Sequence, residues 1–126
     1  MEEKEREIQV GENKIYLRED NIISLDIVGE IDEDKAKNIC AASLKFMKML
    51  EGKVHTLVNN NKAGKQTAQA RKIFREFVKH DRYGKCAIFG AHPVARVIAS
   101  FFIGVTGVKD SRFFKTKEEA LVWLKE

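Results

Sequence analysis

The stretch Lys85–Gly107 constrains the fold more than any other part of the chain, because it predicts a buried strand, a turn and a long apolar helix. The apolar run Cys86–Phe89 is short and is bounded by a lysine and a glycine, which is typical of a strand inside a parallel sheet. Pro93 suits the first position of a helix, where no N–H group is needed. The following helix, residues 93–107, is apolar almost all round, so we expect the rest of the fold to cover nearly all its sides.

Periodicity along the rest of the chain predicts alternating strands and helices. Ile8 and Val10 begin a strand that kinks at Gly11, ahead of an antiparallel hairpin with a short turn. The predicted strands are Lys14–Arg18, Ile22–Val28, Val54–Val58, Cys86–Phe89 and Ser111–Lys115, and the predicted helices cover residues 33–51, 68–80, 93–107 and the stretch after Thr116, where Thr116–Glu119 forms a capping box. This order predicts an α/β fold with a mixed five-stranded open sheet, in which an N-terminal antiparallel hairpin is followed by successive β-α units.

The size and composition of the chain are those of one globular domain. Its 126 residues are 44% hydrophobic and 33% charged, and we expect a single domain over residues 1–126 with residues 1–7 frayed. No apolar run reaches the roughly 20 residues that a membrane span needs, and the N-terminus lacks a secretory signal. Cys40 and Cys86 are isolated among apolar residues, which favours reduced core cysteines and a cytoplasmic protein.

Charge is distributed unevenly along the chain. Residues 1–34 contain 12 acidic and 4 basic side chains, whereas residues 62–85 contain 8 basic and 2 acidic ones. This asymmetry is typical either of a protein with an anionic partner or of two solvated faces. The polar stretch 59–67 is predicted to be a loop after a parallel strand, where open α/β sheets bind ligands, and it leads into a basic helix start. An ordinary capped helix is one interpretation; the other is a weak anion site whose candidate residues are Lys62, Gly64, Lys65, Thr67 and His92.

No catalytic or metal-binding motif is complete in the sequence. Ala63–Thr67 fails as a phosphate-binding loop, because Asn59 stands where the first glycine belongs and Gln66 where the hydroxyl belongs. His55 has no second candidate ligand at a metal spacing, which indicates a structural histidine. Helix 68–80 is basic but lacks the aromatic platform or signature of a nucleic-acid-binding module. The sequence therefore predicts no catalytic residue, no metal site and no cofactor, and it does not favour nucleic acid as a partner.

The C-terminal half resembles a known family. The residues K-C-A-I-F-G-A-H-P-V-A-R-V-I-A-S-F-F at 85–102 and R-F-F-K-T-K-E-E-A-L-V-W-L at 112–124, with A-R-K-I-F at 70–74, are similar to the SpoIIAA-like group within the STAS and CRAL–TRIO lipid-transfer-like fold class. The resemblance extends over residues 12–126. It implies an open sheet of successive β-α units, no intrinsic enzymatic activity, and either protein–protein regulation or the binding of a small apolar ligand.

One stretch departs from this family's pattern. Anti-sigma factor antagonists of the fold carry a phosphorylated serine in a D-S-x-G-like motif at a helix start after a central strand. The matching stretch here, Asn61–Thr67, has neither Asp nor Ser, and Thr67 carries its only hydroxyl. Thr67 is thus the one candidate phosphorylation site, and the departure removes the basis for assuming a kinase or an anti-sigma factor as partner.

Three functions remain open from the sequence. The leading hypothesis is a non-catalytic regulatory or protein-interaction module; the alternatives are a carrier or sensor of a small apolar or lipid-like ligand, and an enzyme using His92 and the 59–67 loop. Helix 93–107 bears on the choice, because positions 100° and 200° apart around a helix cannot all face one sheet. The residues predicted to line either a homodimer interface or an apolar pocket are Phe101, Phe102 and Ile103.

Overall fold

The computed structural model describes residues 6–90 and 110–126. The elements in these two ranges, in chain order, are β1 (Glu7–Val10), β2 (Asn13–Leu17), β3 (Ile23–Ile31), α1 (Glu33–Met47), β4 (Val54–Gln66), α2 (Ala68–Phe77), β5 (Tyr83–Phe89), β6 (Ser111–Phe114) and α3 (Lys117–Leu124). The predicted helix 93–107 lies outside the described residues.

The six strands form one mixed sheet whose spatial order is the order of the chain. β1, β2 and β3 pair antiparallel, whereas β3, β4, β5 and β6 pair parallel. The predicted α/β class, the mixed sheet and the N-terminal antiparallel hairpin are confirmed. The predicted number of five strands is wrong, because β1 is a separate sixth strand.

Gly11 makes β1 a separate strand. Its φ of 61° lies in the left-handed region that favours glycine, and it takes the first central position of a two-residue turn between Val10 and Asn13. A turn of this kind reverses the chain, whereas the sequence interpretation allowed Gly11 only a kink. β1 consequently folds back onto β2 as an antiparallel neighbour.

Arg6, the residue just before β1, is also held in place. The Arg6 guanidinium donates hydrogen bonds to the backbone carbonyls of Leu17 and Arg18, at 3.0 and 2.6 Å. Glu7 is the first residue of β1. These contacts tie residues 6 and 7 to the β2 side of the sheet.

Helices cover the sheet on both faces. Val54 and Leu57 are three residues apart on β4, so their side chains point to opposite faces. Val54 belongs to a core cluster that includes residues of α1 and α2, whereas Leu57 belongs to a second cluster with Ala120 and Leu124 of α3. The sheet is thus packed between α1 and α2 on one side and α3 on the other.

Helix α1 buries a broader face than its sequence pattern predicts. The stripe that helical spacing predicts to face the core in helix 33–51 is Ala36, Ile39, Cys40, Ser43, Leu44, Met47 and Leu50. Cys40 and Leu44 are only half-buried, whereas Phe46, which is not part of this stripe, is completely buried. α1 packs on the sheet and also contacts α2, so a second side of the helix is covered. The helix also ends at Met47, earlier than the predicted residue 51.

The prediction of a loop at residues 59–67 is wrong. β4 runs for 13 residues and continues to Gln66, because β3 extends beside it as far as Ile31. Two register shifts, between Asp26 and Val28 and between Gly29 and Ile31, each place one extra residue in β4. Backbone pairing with β3 therefore outweighs the polar composition of this stretch.

The C-terminal elements follow their sequence signals. The predicted strand at 86–89 lies within β5, where Cys86, Ala87 and Phe89 are buried. Thr116 is the N-cap of α3, and its Oγ1 accepts a hydrogen bond from the Glu119 amide at 3.2 Å, as the predicted capping box requires. None of the helices in the described ranges is long and apolar enough to cross a membrane.

Candidate functional site

The candidate site lies where β3 and β4 run on beyond their neighbours. In the described residues, β2 pairs with β3 only as far as Asp26, and β5 pairs with β4 only as far as Asn59. Residues 28–31 and 62–66 continue as a two-stranded parallel ribbon, which we call the β3–β4 extension. It leads directly into the first turns of α1 and α2, so two helix N-termini meet at this end of the sheet.

Both helix N-termini are capped by a side chain. Asp32 accepts a hydrogen bond from the Lys35 amide at 2.9 Å, and Thr67 Oγ1 accepts one from the Ala70 amide at 3.1 Å. The Thr67 amide donates to the Ile31 carbonyl at 3.0 Å, which ties the start of α2 to the end of β3. The hydroxyl of Thr67, the candidate phosphorylation site, therefore has a capping role in the folded protein.

The two helix starts differ in charge. The first turn of α1 contains two acidic residues, which offset the positive end of its macrodipole, whereas the first turn of α2 contains none. Lys62 and Lys65 are exposed on the β3–β4 extension just ahead of α2, and Arg71 on α2 donates to the Gln66 carbonyl at 2.6 Å. Basic side chains therefore coincide at the start of α2 with the positive end of a helix dipole that no acidic residue in the first turn offsets.

Gly64 has a packing reason to be glycine. A Cβ atom at this position would lie 2.9 Å from the Gly29 carbonyl carbon and 3.1 Å from the Glu30 amide nitrogen. Both contacts are with the backbone of β3, which cannot move aside as a flexible side chain would. The close approach of β3 and β4 accounts for this glycine without an anion.

The structure thus brings four of the five candidate anion-site residues to one place. Lys62, Gly64 and Lys65 lie on the β3–β4 extension and Thr67 caps α2. The fifth candidate, His92, lies outside the described residues. The candidate interface residues, Phe101, Phe102 and Ile103, lie outside them as well.

His55 and its neighbours form a second polar cluster, at the pairing of β4 with β5. The register shift between Val54 and Thr56 places one extra residue in β5 and directs the Lys85 amide to His55 Nδ1, at 2.9 Å. The Lys85 ammonium donates to the carbonyl of Trp123 at 3.0 Å, near the end of α3. The interpretation of His55 as a structural histidine is confirmed by this hydrogen bond.

Burial suppresses the thiolate form of the two cysteines. Cys40 and Cys86 are free thiols, and burial raises the pKa of Cys40 to about 12, so it is protonated at neutral pH. Burial also raises the pKa of Cys86. Across residues 6–90 and 110–126, no three His, Cys, Asp or Glu side chains are placed to hold a metal ion.

We expect the stability of the protein to fall as pH decreases through the titration of His55. Burial, together with the charge of Lys85, lowers the pKa of His55 below its ordinary 6.5, although Asp110 opposes the shift. The unfolded chain then binds more protons at this site, so the stabilisation is fully present above pH 6.5 and is lost as pH falls through the folded-state pKa.

The matched variant for this test is His55→Asn, whose Oδ1 can accept the Lys85 amide hydrogen bond without titrating. Urea unfolding at a series of pH values between about 7.5 and about 5 should give a steeper loss of stability in the wild type than in His55→Asn. Equal slopes in the two proteins would show that His55 does not cause the loss.

Comparison with solved structures identifies the fold. A crystal structure of an uncharacterized protein from the DUF3478 family with a SpoIIAA-like fold, from Shewanella loihica PV-4, matches with a TM-score of 0.68 and 16% identity, over 89% of this chain and 91% of that one. The anti-sigma factor antagonist SpoIIAA in its unphosphorylated form matches with a TM-score of 0.62 and 15% identity, over 90% of this chain and 97% of that one. The chain therefore has a SpoIIAA-like fold.

Comparison of sequences identifies the family. No curated protein matches the chain. Residues 16–126 match the family described as a domain of unknown function, DUF7793. Since the match covers most of the sequence, the chain belongs to the DUF7793 family.

Proposed function

We propose that this protein is a non-catalytic regulatory module of the STAS-like type, which acts by binding an acidic surface of a partner protein. The observation that carries the proposal is a basic surface at the end of β4 and the start of α2. Its residues, Lys62, Lys65, Arg71 and Lys72, are all exposed. The SpoIIAA-like fold supports it, since SpoIIAA is an anti-sigma factor antagonist and so works on another protein.

The geometry of this basic surface suits a protein partner. It combines a paired ribbon, the β3–β4 extension, with the start of a helix that is capped by Thr67. Exposed cations on paired strands and a capped helix favour the diffusional approach of an acidic surface and its orientation. A free anion such as phosphate would meet the same lysines, but these side chains are exposed, so solvent and salt screen a small anion from them.

The alternative of an apolar-ligand carrier predicts a ligand that remains bound during purification. The groove that the described residues form between β1 and α1 is open, with apolar and polar lining, and does not enclose a lipid-like molecule. Native mass spectrometry of the purified wild type distinguishes the functions, because a retained ligand adds mass to the 14.4 kDa chain and a homodimer doubles it.

The test of the proposal is a charge reversal on the basic surface. We expect the double variant Lys65→Glu/Lys72→Glu to weaken capture of the partner protein by about tenfold or more. The matched control is Lys115→Glu/Lys117→Glu, which makes the same change of charge at two exposed positions, one between β6 and α3 and one at the start of α3. Partners are recovered by affinity capture from the source cell and quantified by mass spectrometry.

The outcomes of this experiment separate the hypotheses. A protein retained by the wild type and by the control, but lost by Lys65→Glu/Lys72→Glu, supports the proposal. Equal recovery of every bound protein by the two double variants contradicts it. Purified partner and wild type should also bind more weakly as salt concentration rises, because the contact is between exposed charges.

A further inference from the structure

The free edge of β1 presents backbone groups that no described strand pairs. Of the six strands, β1 is at one end of the sheet. Val10 pairs with Asn13 across a two-residue turn, so their backbones hydrogen-bond to each other. From there, hydrogen-bonded and non-hydrogen-bonded residue pairs alternate along the two strands. Ile8 and Val10 therefore direct their N–H and C=O groups toward β2, whereas Glu7 and Gln9 direct theirs outward.

A hydrogen bond at the far end of β2 supports this alternation. The Arg18 amide donates to the Ile22 carbonyl at 2.9 Å, so Arg18 faces β3. Residues 14 and 16 face β3 by the same period of two, and residues 13, 15 and 17 face β1. The outward N–H and C=O groups of Glu7 and Gln9 thus offer up to four hydrogen bonds to an added strand.

A groove lies beside this free edge, between β1 and α1. Its volume is about 510 Å³, and it is lined by Ile8, Gln9, Val10, Gly11, Asn38, Ala41, Ala42 and Lys45. The small side chains of Ala41 and Ala42 leave room between the helix and the strand. Ile8 and Val10 form an apolar floor, and Lys45 places a positive charge at the rim.

We propose that β1 and α1 form a docking site for an extended segment of a partner protein, which adds to β1 as a seventh strand. Alternate side chains of that strand face the groove, so the segment carries apolar residues at two-residue spacing and an acidic residue opposite Lys45. The backbone of Glu7 and Gln9 supplies the hydrogen bonds, and the groove supplies the sequence preference.

Charge favours a foreign segment over a second copy of this chain. Pairing of β1 with the β1 of another copy would be antiparallel about Ile8 and would bring the two α1 helices together on one face. Residues 38–48 of α1 and its C-cap contain two lysines, Lys45 and Lys48, and no acid, so two copies would bring positive charges together. An acidic segment is complementary to the same surface.

The experiment uses the full-length protein and a phage-displayed library of random peptides of about eight residues, long enough to span β1. We expect the selected peptides to share apolar residues at two-residue spacing and an acid. A synthetic consensus peptide should shift the NMR signals of the Glu7 and Gln9 amides and of the Ala41 methyl group. Peptides selected for binding to the Lys45→Glu variant should carry a basic residue in place of the acidic one.

Gln9→Pro tests the backbone contact. It removes an outward N–H group and leaves the β1–β2 hydrogen bonds in place, because proline is tolerated at such edge positions. We expect it to weaken peptide binding by about tenfold or more, whereas Gln9→Thr keeps binding. Unchanged β1–β2 cross-strand NOEs in Gln9→Pro verify that the hairpin persists, and Ala41→Leu, which fills the groove, gives an independent second variant.

Three results would overturn the proposal. One is a selection that yields no peptide above background, and another is a consensus peptide whose NMR shifts fall on a different surface. The third is a concentration-dependent dimer of the wild type that Gln9→Pro dissociates, which would assign the edge to a second copy. The outcome is independent of the basic surface, since Lys65→Glu/Lys72→Glu leaves β1 and the groove unchanged.

Discussion

Replacing Phe46 with alanine should lower the free energy of unfolding by about 3–5 kcal/mol, the usual cost of removing a buried aromatic side chain. Phe46 has no exposed surface, and it belongs to the core cluster that α1 and α2 form with the sheet. Its removal would leave a cavity between elements held on two sides, which the surroundings can fill only in part. Urea unfolding followed by circular dichroism measures the change.

The matched control for Phe46 is Met49→Ala. Met49 lies three residues further along the chain and is 41% exposed, so its truncation should change stability by no more than about 0.5 kcal/mol. A loss for Phe46→Ala no larger than that for Met49→Ala would contradict the packing described for α1.

Replacing Asn13 with alanine should cost about 1–3 kcal/mol, because it leaves the partly buried N–H group of Val28 without this partner. Asn13 is 1% exposed, and its Oδ1 accepts a hydrogen bond from the Val28 amide at 2.7 Å. Its Nδ2 donates to the Val10 carbonyl at 3.0 Å. One side chain therefore joins the β1–β2 turn to β3 at the point where β2 begins.

Hydrogen exchange gives a local measurement of the Asn13 contact. The Val28 amide should exchange faster in Asn13→Ala than in the wild type, at a denaturant concentration where both are folded. Asn38→Ala, at an exposed position on α1, removes the same kind of side chain without a buried partner and should leave this rate unchanged. Equal protection of Val28 in all three proteins would show that the hydrogen bond does not contribute.

Those parts of the fold that depend on local pattern could be predicted from the sequence. Alternation of apolar residues identifies β2 and β3, and the Thr116–Glu119 spacing identifies the start of α3, because both signals operate within a few residues. The sequence predicts only a kink after Ile8 and Val10, since a glycine such as Gly11 suits a kink and a turn equally well. The conformation at Gly11 depends on whether β1 finds a neighbour.

The missed features depend on distant neighbours. The 59–66 stretch is polar and resembles a loop, yet it pairs with β3 because β3 itself continues to Ile31. The core stripe predicted for helix 33–51 omits Phe46, because the apolar pattern of one helix cannot show where α2 packs against it. Pairing and packing across the chain decide both cases.

The candidate site also combines features that the sequence predicts with features that depend on distant contacts. The sequence located Lys62, Lys65 and Thr67 near a helix start, and the structure places Thr67 as the N-cap of α2. Gly64 carried no signal that its neighbour would be the backbone of Gly29. The groove beside β1 could not be anticipated, because it depends on the separation between an edge strand and the flank of α1, where Ala41 and Ala42 are small.

The order of the strands has a consequence for how the chain is made. Each described strand after β1 pairs with the strand synthesised just before it. The sheet can therefore grow at one edge while the ribosome is still translating, and the six strands need no later segment to fill a gap between them. Each strand that is added costs the conformational entropy of closing one connection only. α3 then returns to the first strands of the sheet, because the Nζ of its C-cap residue Lys125 lies 3.2 Å from Oδ2 of Asp20, between β2 and β3.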